Sequence, residues 1–406
     1  MTTLLTEPER KVGRGWVVAL TTATLGLWVV YFGPTILLLP TQAARFAPEE
    51  KENALGLVTG AGSLVLLVGH IVCGLLSDRT TSRYGPRKPW LVSGVAVAAV
   101  SLLGLSQATD VTGLLVGWCA VQLGASAVFT GLLAAVPDHV PVTQRGLVSG
   151  LIGLAQAAGS LLGNLVLVAA GDPLAGYGLC AVLLLASVLP FLLVNRDPQL
   201  APQEGRPALR SLWVSPRKHP DFLWAMASQF LLNVSFALAT LYTLFYLTDA
   251  LHHDDPEGGT ALSTTVTTLA TIAAAALFGH WSDRTGRRKV FVLVAAGLMS
   301  ASGLVLVFAP GWPMFLFSSV LLGFGLGVFA TVDLAIASAV LPAAADRAKD
   351  LGVNNVSRSL PQLVAPALAA PLLAGHEPAG YTAVFLLSAL CAAVGGLVIL
   401  RIRAVH

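Results

Sequence analysis

The sequence predicts an all-α membrane protein of twelve transmembrane helices, arranged as two pseudo-symmetric six-helix bundles. Three observations lead there. Hydrophobic residues make up 55% of the 406 positions and charged residues 11%, where a soluble protein carries about 25% charged residues. Apolar runs recur along the whole chain, and a helix needs about 20 such residues to cross the hydrocarbon core. A short polar motif that closes an early run returns at the matching place of the second half.

On the length template the spans fall near 15–39, 54–76, 89–108, 113–136, 147–170, 174–194, 221–248, 262–281, 289–309, 313–340, 351–373 and 380–401. The first 14 residues are polar and lack the apolar core and cleavage site of a signal peptide, so the first run reads as a retained span. Spans five and six are divided only by Gly171, Asp172 and Pro173. The 40 glycines suit close helix approach in a membrane. Four cysteines, Cys73, Cys119, Cys180 and Cys391, lie inside apolar runs without CxxC spacing. Neither a metal site nor a disulfide framework is expected from them, and no cofactor.

Lys and Arg in the connections set orientation. Of 24 such residues, 21 fall on the side of the two termini, Arg45 and Lys51 on the other, and Arg358 within a span. Both termini are therefore expected in the cytoplasm, with the protein in the inner membrane. A net charge of +3, spread over membrane-edge loops, gives no nucleic-acid signal. The connection 195–220 holds five basic residues and five prolines. It reads as a cytoplasmic linker between an N-terminal half, 1–194, and a C-terminal half, 221–406. Nothing in the pattern asks for an oligomer, so a monomer is expected.

Span two ends in Gly74-Leu-Leu-Ser-Asp78-Arg79, followed by Arg83, Gly85, Arg87 and Lys88; span eight ends in Gly279-His-Trp-Ser-Asp283-Arg284. Gly74 and Gly279 would let a neighbouring helix pack closely. Asp78 and Asp283 sit at helix C-termini, where their own helix dipole opposes a negative charge. A cation must answer them, and the basic loops supply several. Such a charge latch can hold the two halves together on one side of the membrane and open as they rock.

The duplicated G-x-x-S-D-R…R-x-G-x-R-[RK] loop resembles the signature of the major facilitator superfamily. The tract Pro137-Asp138-His139-Val140-Pro141 through Arg145 is similar to that superfamily as well. The resemblance implies the major facilitator fold, a central cavity lined by spans 1, 4, 7 and 10, and alternating access. More narrowly, the loop Ser77–Pro89 and the tract around Lys349-Asp350 resemble the sucrose and glycoside–cation symporter branch. In that branch an acid in the first span is expected to carry the proton; Gly15–Leu39 contains none.

Ionisable groups inside spans are costly and mark function or pairing. Asp333 is the one acid deep in a span and Arg358 the one deep base. By helical rise each lies about 12 Å from its span's end, so the two can share a depth on consecutive antiparallel helices. A salt bridge is expected, either structural or coupling transport to protons. His70 in span two is a further candidate for coupling.

Polar stripes at helical spacing point inward. Trp28 and Tyr31 in span one, Gln122 and Phe129 in span four, Gln156 in span five, Gln229 and Asn233 in span seven and Gln362 in span eleven form the candidate lining. Amides and aromatic rings suit a neutral polyol. Threonine stripes accompany them in spans one, seven and eight, with helix–helix glue as the alternative role. No nucleotide loop or nucleophile–base constellation points to an enzyme. Two functions are therefore expected to compete: uptake of a sugar or glycoside with a proton or sodium ion, and export of a small amphipathic metabolite or drug.

Overall fold

The computed structural model describes residues 11–195, 220–285, 288–340, 347–373 and 378–402. Their order is α1 (Arg14–Gly33), α2 (Leu39–Phe46), α3 (Lys51–Arg79), α4 (Lys88–Ser106), α5 (Val111–His139), α6 (Val142–Ala170) and α7 (Pro173–Val194). There follow α8 (Pro220–Leu241), α9 (Thr243–Phe245), α10 (Pro256–Thr285), α11 (Arg288–Phe308), α12 (Trp312–Val340), α13 (Arg347–Leu373) and α14 (Pro378–Val398). Eleven helical stretches among the described residues are long and apolar enough to cross a membrane. The shorter apolar stretch Leu360–Leu373, in α13, makes the twelfth, and carries Pro361, Pro366 and Pro371.

Local chemistry explains the boundaries. Gly171, at φ 64°, ends α6 in the left-handed region that glycine enters freely. Asp172 then caps α7 by accepting from the Ala175 amide at 3.1 Å, and Pro173 occupies the first turn. This three-residue turn thus carries a stop, a cap and a start. Asp110 caps α5 in the same way, on Gly113 N at 2.7 Å. Pro34 has no amide hydrogen, and the chain there widens into a π turn, Pro34–Leu38. A second π turn, Tyr246–Ala250, follows the break after α8.

Contacts divide the chain into two compact units: Met1–Gln42 with Ala61–Gly205, and Ala43–Gly60 with Arg206–His406. Within the first, α1 packs on α6 and α7, and α4 packs on α5 and α7. Within the second, α8 packs on α13 and α14, and α11 packs on α12 and α14. The same scheme is therefore repeated with homologous helices, which is the pseudo-symmetry expected of duplicated halves. Glycine makes it possible. A Cβ on Gly124 would lie 2.6 Å from the Ala98 amide nitrogen, so α4 and α5 meet backbone to backbone. In the second unit α10 and α12 meet likewise, with Thr271 Oγ1 donating to Gly323 O at 3.1 Å. Large apolar side chains such as Phe308 (81% exposed) and Leu193 (73%) point outward. In lipid that outward face loses nothing, and packing with interhelical hydrogen bonds holds the helices together.

Candidate functional site

In the second unit, Gln229 of α8 and Asp333 of α12 are both buried, at 4% and 7% exposure. The Gln229 Nε2 amide donates to Asp333 Oδ1 at 2.8 Å and to Oδ2 at 3.0 Å. The amide nitrogen thus faces both oxygens of one carboxyl group in a three-centre contact. Asn233, one turn further along α8, donates instead to the Gln229 carbonyl at 2.8 Å. Gln229, expected among the solute-lining residues, therefore belongs structurally to the carboxylate. The Arg358 side chain lies outside the described ones, and with it the expected Asp333–Arg358 bridge.

In the first unit an aromatic group gathers around α1. Trp28 stacks on Phe32 with centroids 5.4 Å apart, and meets Tyr31 at 5.5 Å and Phe129 of α5 at 5.9 Å edge to face. His70 of α3 stacks on the same Phe129 at 4.8 Å. Trp28 Nε1, His70 Nε2 and Gln122 Oε1 are buried without a hydrogen-bond partner among the described residues. A buried donor or acceptor without a partner costs about 1–3 kcal/mol. Thr21, Thr24 and Thr35 all donate to the carbonyl four residues back along the chain. The threonines of this stripe are accordingly satisfied locally.

At the other end of α3, Arg87 is 9% exposed. Its Nη1 donates to Asp78 Oδ1 and, at 3.1 Å, to Ser77 Oγ, while Nε reaches Asp138 Oδ2 at 3.3 Å. Burial pulls the Arg87 guanidinium down, but the hydrogen bond and charge of Asp78, then Asp138, outweigh it and leave it raised. The cation answering Asp78 is thus Arg87, and all three residues lie in the first unit. Arg79 is exposed, and Arg83 lies over the Tyr84 ring at 4.7 Å. Arg145 caps the end of α5, donating to Val140 O at 3.0 Å and Pro137 O at 3.5 Å. Gly74 has ordinary room, since a Cβ there would meet only Thr130 Cγ2 at 3.6 Å; the close approaches of α3 fall at Gly62 and Gly69, where a Cβ would lie 2.4 Å from Trp118 Cδ1 and 2.3 Å from Ser126 Oγ.

Gln156 is exposed on α6 and Gln362 half-buried on α13. Arg284 is exposed at the end of α10. The surroundings of Gly279 and the Asp283 side chain lie outside the described ones, so the second copy of the latch does too. Among the described residues no group of His, Cys, Asp and Glu could hold a metal ion.

One further polar cluster has no local signature in the sequence. Lys51 Nζ reaches Asp249 Oδ1 at 2.6 Å, and Tyr381 Oη donates to Asp249 Oδ2 at 2.7 Å. Lys51 and Asp249 are 198 residues apart, and no periodic pattern links them. The one available signal is that Lys51 is one of only two basic residues assigned to the side away from the termini.

The model of the Major Facilitator Superfamily matches residues 20–262 and 234–405. The chain belongs to that superfamily, and its fold and family are those of a membrane transporter, not an enzyme. Solved structures agree on the fold. A crystal structure of the peptide transporter POT in complex with sulfate is 15% identical, with a TM-score of 0.78 over 98% of this chain and 96% of that one. The nucleoside transporter NupG, solved as a mutant, is 11% identical, with a TM-score of 0.76 over 95% and 99%. A bacterial homolog of the human lysosomal transporter Spinster, inward-facing and unoccupied, is 13% identical, with a TM-score of 0.70 over 96% and 98%. Among curated proteins no sequence matches the chain.

Proposed function

We propose that the protein is a secondary active transporter that moves a small neutral solute, of sugar or glycoside type, by alternating access coupled to a proton or cation gradient. The observation that carries the coupling is the buried Asp333 carboxylate with both oxygens on the Gln229 amide. Ionised, Asp333 accepts from the amide at both oxygens; protonated, it becomes a donor and the amide must rearrange. A side-chain pair that changes its hydrogen-bond sense with one proton is suited to link protonation to a movement of α8 against α12.

The neutral-solute reading is supported by the aromatic group of Trp28, Tyr31 and Phe129, with Gln122 and His70 offering unsatisfied polar atoms beside it. Rings stack on C–H faces and amides serve hydroxyls in both senses. A second reading, proton-driven export of a small amphipathic metabolite or drug, is favoured by the absence of any acid in Gly15–Leu39. In either reading the protein works as a monomer in the inner membrane, with cytoplasmic termini and a cytoplasmic linker at 195–220.

Purified protein in liposomes with imposed pH and sodium gradients tests the proposal. Gradient-driven accumulation of a labelled disaccharide supports the first reading, and gradient-driven loss of a preloaded hydrophobic dye supports the second. Movement of neither under any gradient overturns both.

A further inference from the structure

The helix α3 is shared by the two compact units. Its residues through Gly60 group with the second unit, and those from Ala61 group with the first. Its opening turn carries a polar cluster, in which the buried Glu52 lies beside Lys51 and Tyr242 Oη reaches Glu52 O at 3.5 Å. Asp249, presented by the π turn Tyr246–Ala250, takes the Lys51 ammonium on Oδ1 at 2.6 Å and the Tyr381 hydroxyl on Oδ2 at 2.7 Å. Lys51 Nζ also sits 5.1 Å from the centroid of the Phe245 ring.

The next two turns of α3, to Gly60, meet their neighbours through small residues. A Cβ on Gly60 would meet only Leu363 Cδ1 at 3.9 Å, and Gly56 lies under the Tyr242 hydroxyl. Polar hold is therefore concentrated at the first turn. The Lys51 and Asp249 side chains keep 12% and 16% exposure. A pair at the edge of water regains hydration when it parts, whereas a fully buried pair would strand its charges.

We propose that Lys51, Asp249 and Tyr381 form a releasable clamp, which holds the end of α3 remote from Asp78 and frees its opening turns when it parts. Its purpose rests on the alternating-access reading, but its test needs no solute.

The test uses the full chain in detergent, with the four native cysteines replaced and a reporter cysteine at Thr59, which is 4% exposed two turns below Lys51. A second reporter at Leu102, fully buried in α4, registers general loosening. Maleimide labelling at Thr59→Cys is expected to rise about tenfold in Lys51→Ala and in Asp249→Asn, equivalent to roughly 1.4 kcal/mol of clamp free energy. Tyr381→Phe raises it less. Lys51→Arg, which keeps the charge, leaves it slow. Labelling at Leu102→Cys stays slow throughout. Equal labelling at Thr59→Cys in the parent and both charge variants overturns the clamp, as does an equal rise at both reporters.

Discussion

The Gln229 amide meets the Asp333 carboxylate directly, with Nε2 donating at 2.8 and 3.0 Å to the two oxygens. Both side chains are buried. The amide nitrogen faces both oxygens of the acid. On the proposed reading, coupling falls to this pair in the second unit and solute recognition to the aromatic group in the first.

Replacing Gln229 by Leu should strip the ionised carboxylate of its amide donor. A cost of about 1–3 kcal/mol is expected. The melting temperature in detergent should thus fall by several degrees in Gln229→Leu and by less in Gln229→Leu/Asp333→Leu, where no carboxylate is left without its donor. Equal losses in the two variants would show that Gln229 serves packing alone.

The Arg87 cluster predicts an order of effects. The Arg87 side chain is 11% exposed and is shared by two acids, Asp78 and Asp138. Losing every partner hurts a shielded charge more than losing one of two. Arg87→Ala, which leaves two carboxylates without their cation, should cost about 3 kcal/mol, and Asp138→Asn or Asp78→Asn alone less, because Arg87 keeps the other acid. Arg87→Lys should recover under half of the loss, because an ammonium lacks the guanidinium fork. Thermal unfolding of the purified variants checks the series.

Two glycines separate motif from packing. Gly124→Ala pushes a methyl onto the α4 backbone, 2.6 Å from Ala98 N, and overpacking costs about 1–3 kcal/mol. Gly74→Ala meets only the Thr130 methyl at 3.6 Å and gains up to roughly 1 kcal/mol of helix propensity. The first should lower the melting temperature by several degrees, and the second should hold or raise it. The reverse order would return the packing role to the motif glycine.

Trp28 offers a separation of stability from recognition. Its Nε1 is buried without a partner among the described residues, so Trp28→Phe removes an unsatisfied donor while keeping a ring. Unfolding temperature should be unchanged or higher, and the KM for a transported disaccharide should rise by about 5- to 30-fold, the worth of one hydrogen bond to a polar solute at about 1–2 kcal/mol. An unchanged KM would exclude Nε1 from recognition.

Eleven of the helices were legible because lipid imposes a long apolar run, and α13, whose apolar stretch is only Leu360–Leu373, by the place it takes in the repeat. The turn at Gly171-Asp172-Pro173 was legible as well, because each residue type there has one physical use. The partner of Asp78 was legible only as a class, a loop cation. Choosing Arg87 over Arg79 and Arg83 depends on the path of the loop, which turns at Gly85 with φ 93°. The Gln229–Asp333 pair joins residues 104 positions apart. The polar stripe located Gln229 on an inward face, yet could not say that a carboxylate, rather than a solute, would meet it. Lys51 with Asp249 was hidden for the same reason, since a contact between distant helices leaves no periodic trace.

The most direct test is disaccharide accumulation in proteoliposomes under an imposed inward proton gradient, measured for the parent and for Asp333→Asn. The parent should concentrate the sugar. The variant, which keeps a hydrogen-bonding side chain without a titratable charge, should only equilibrate it. Accumulation by Asp333→Asn that still follows the pH gradient would contradict the coupling role of the Gln229–Asp333 pair.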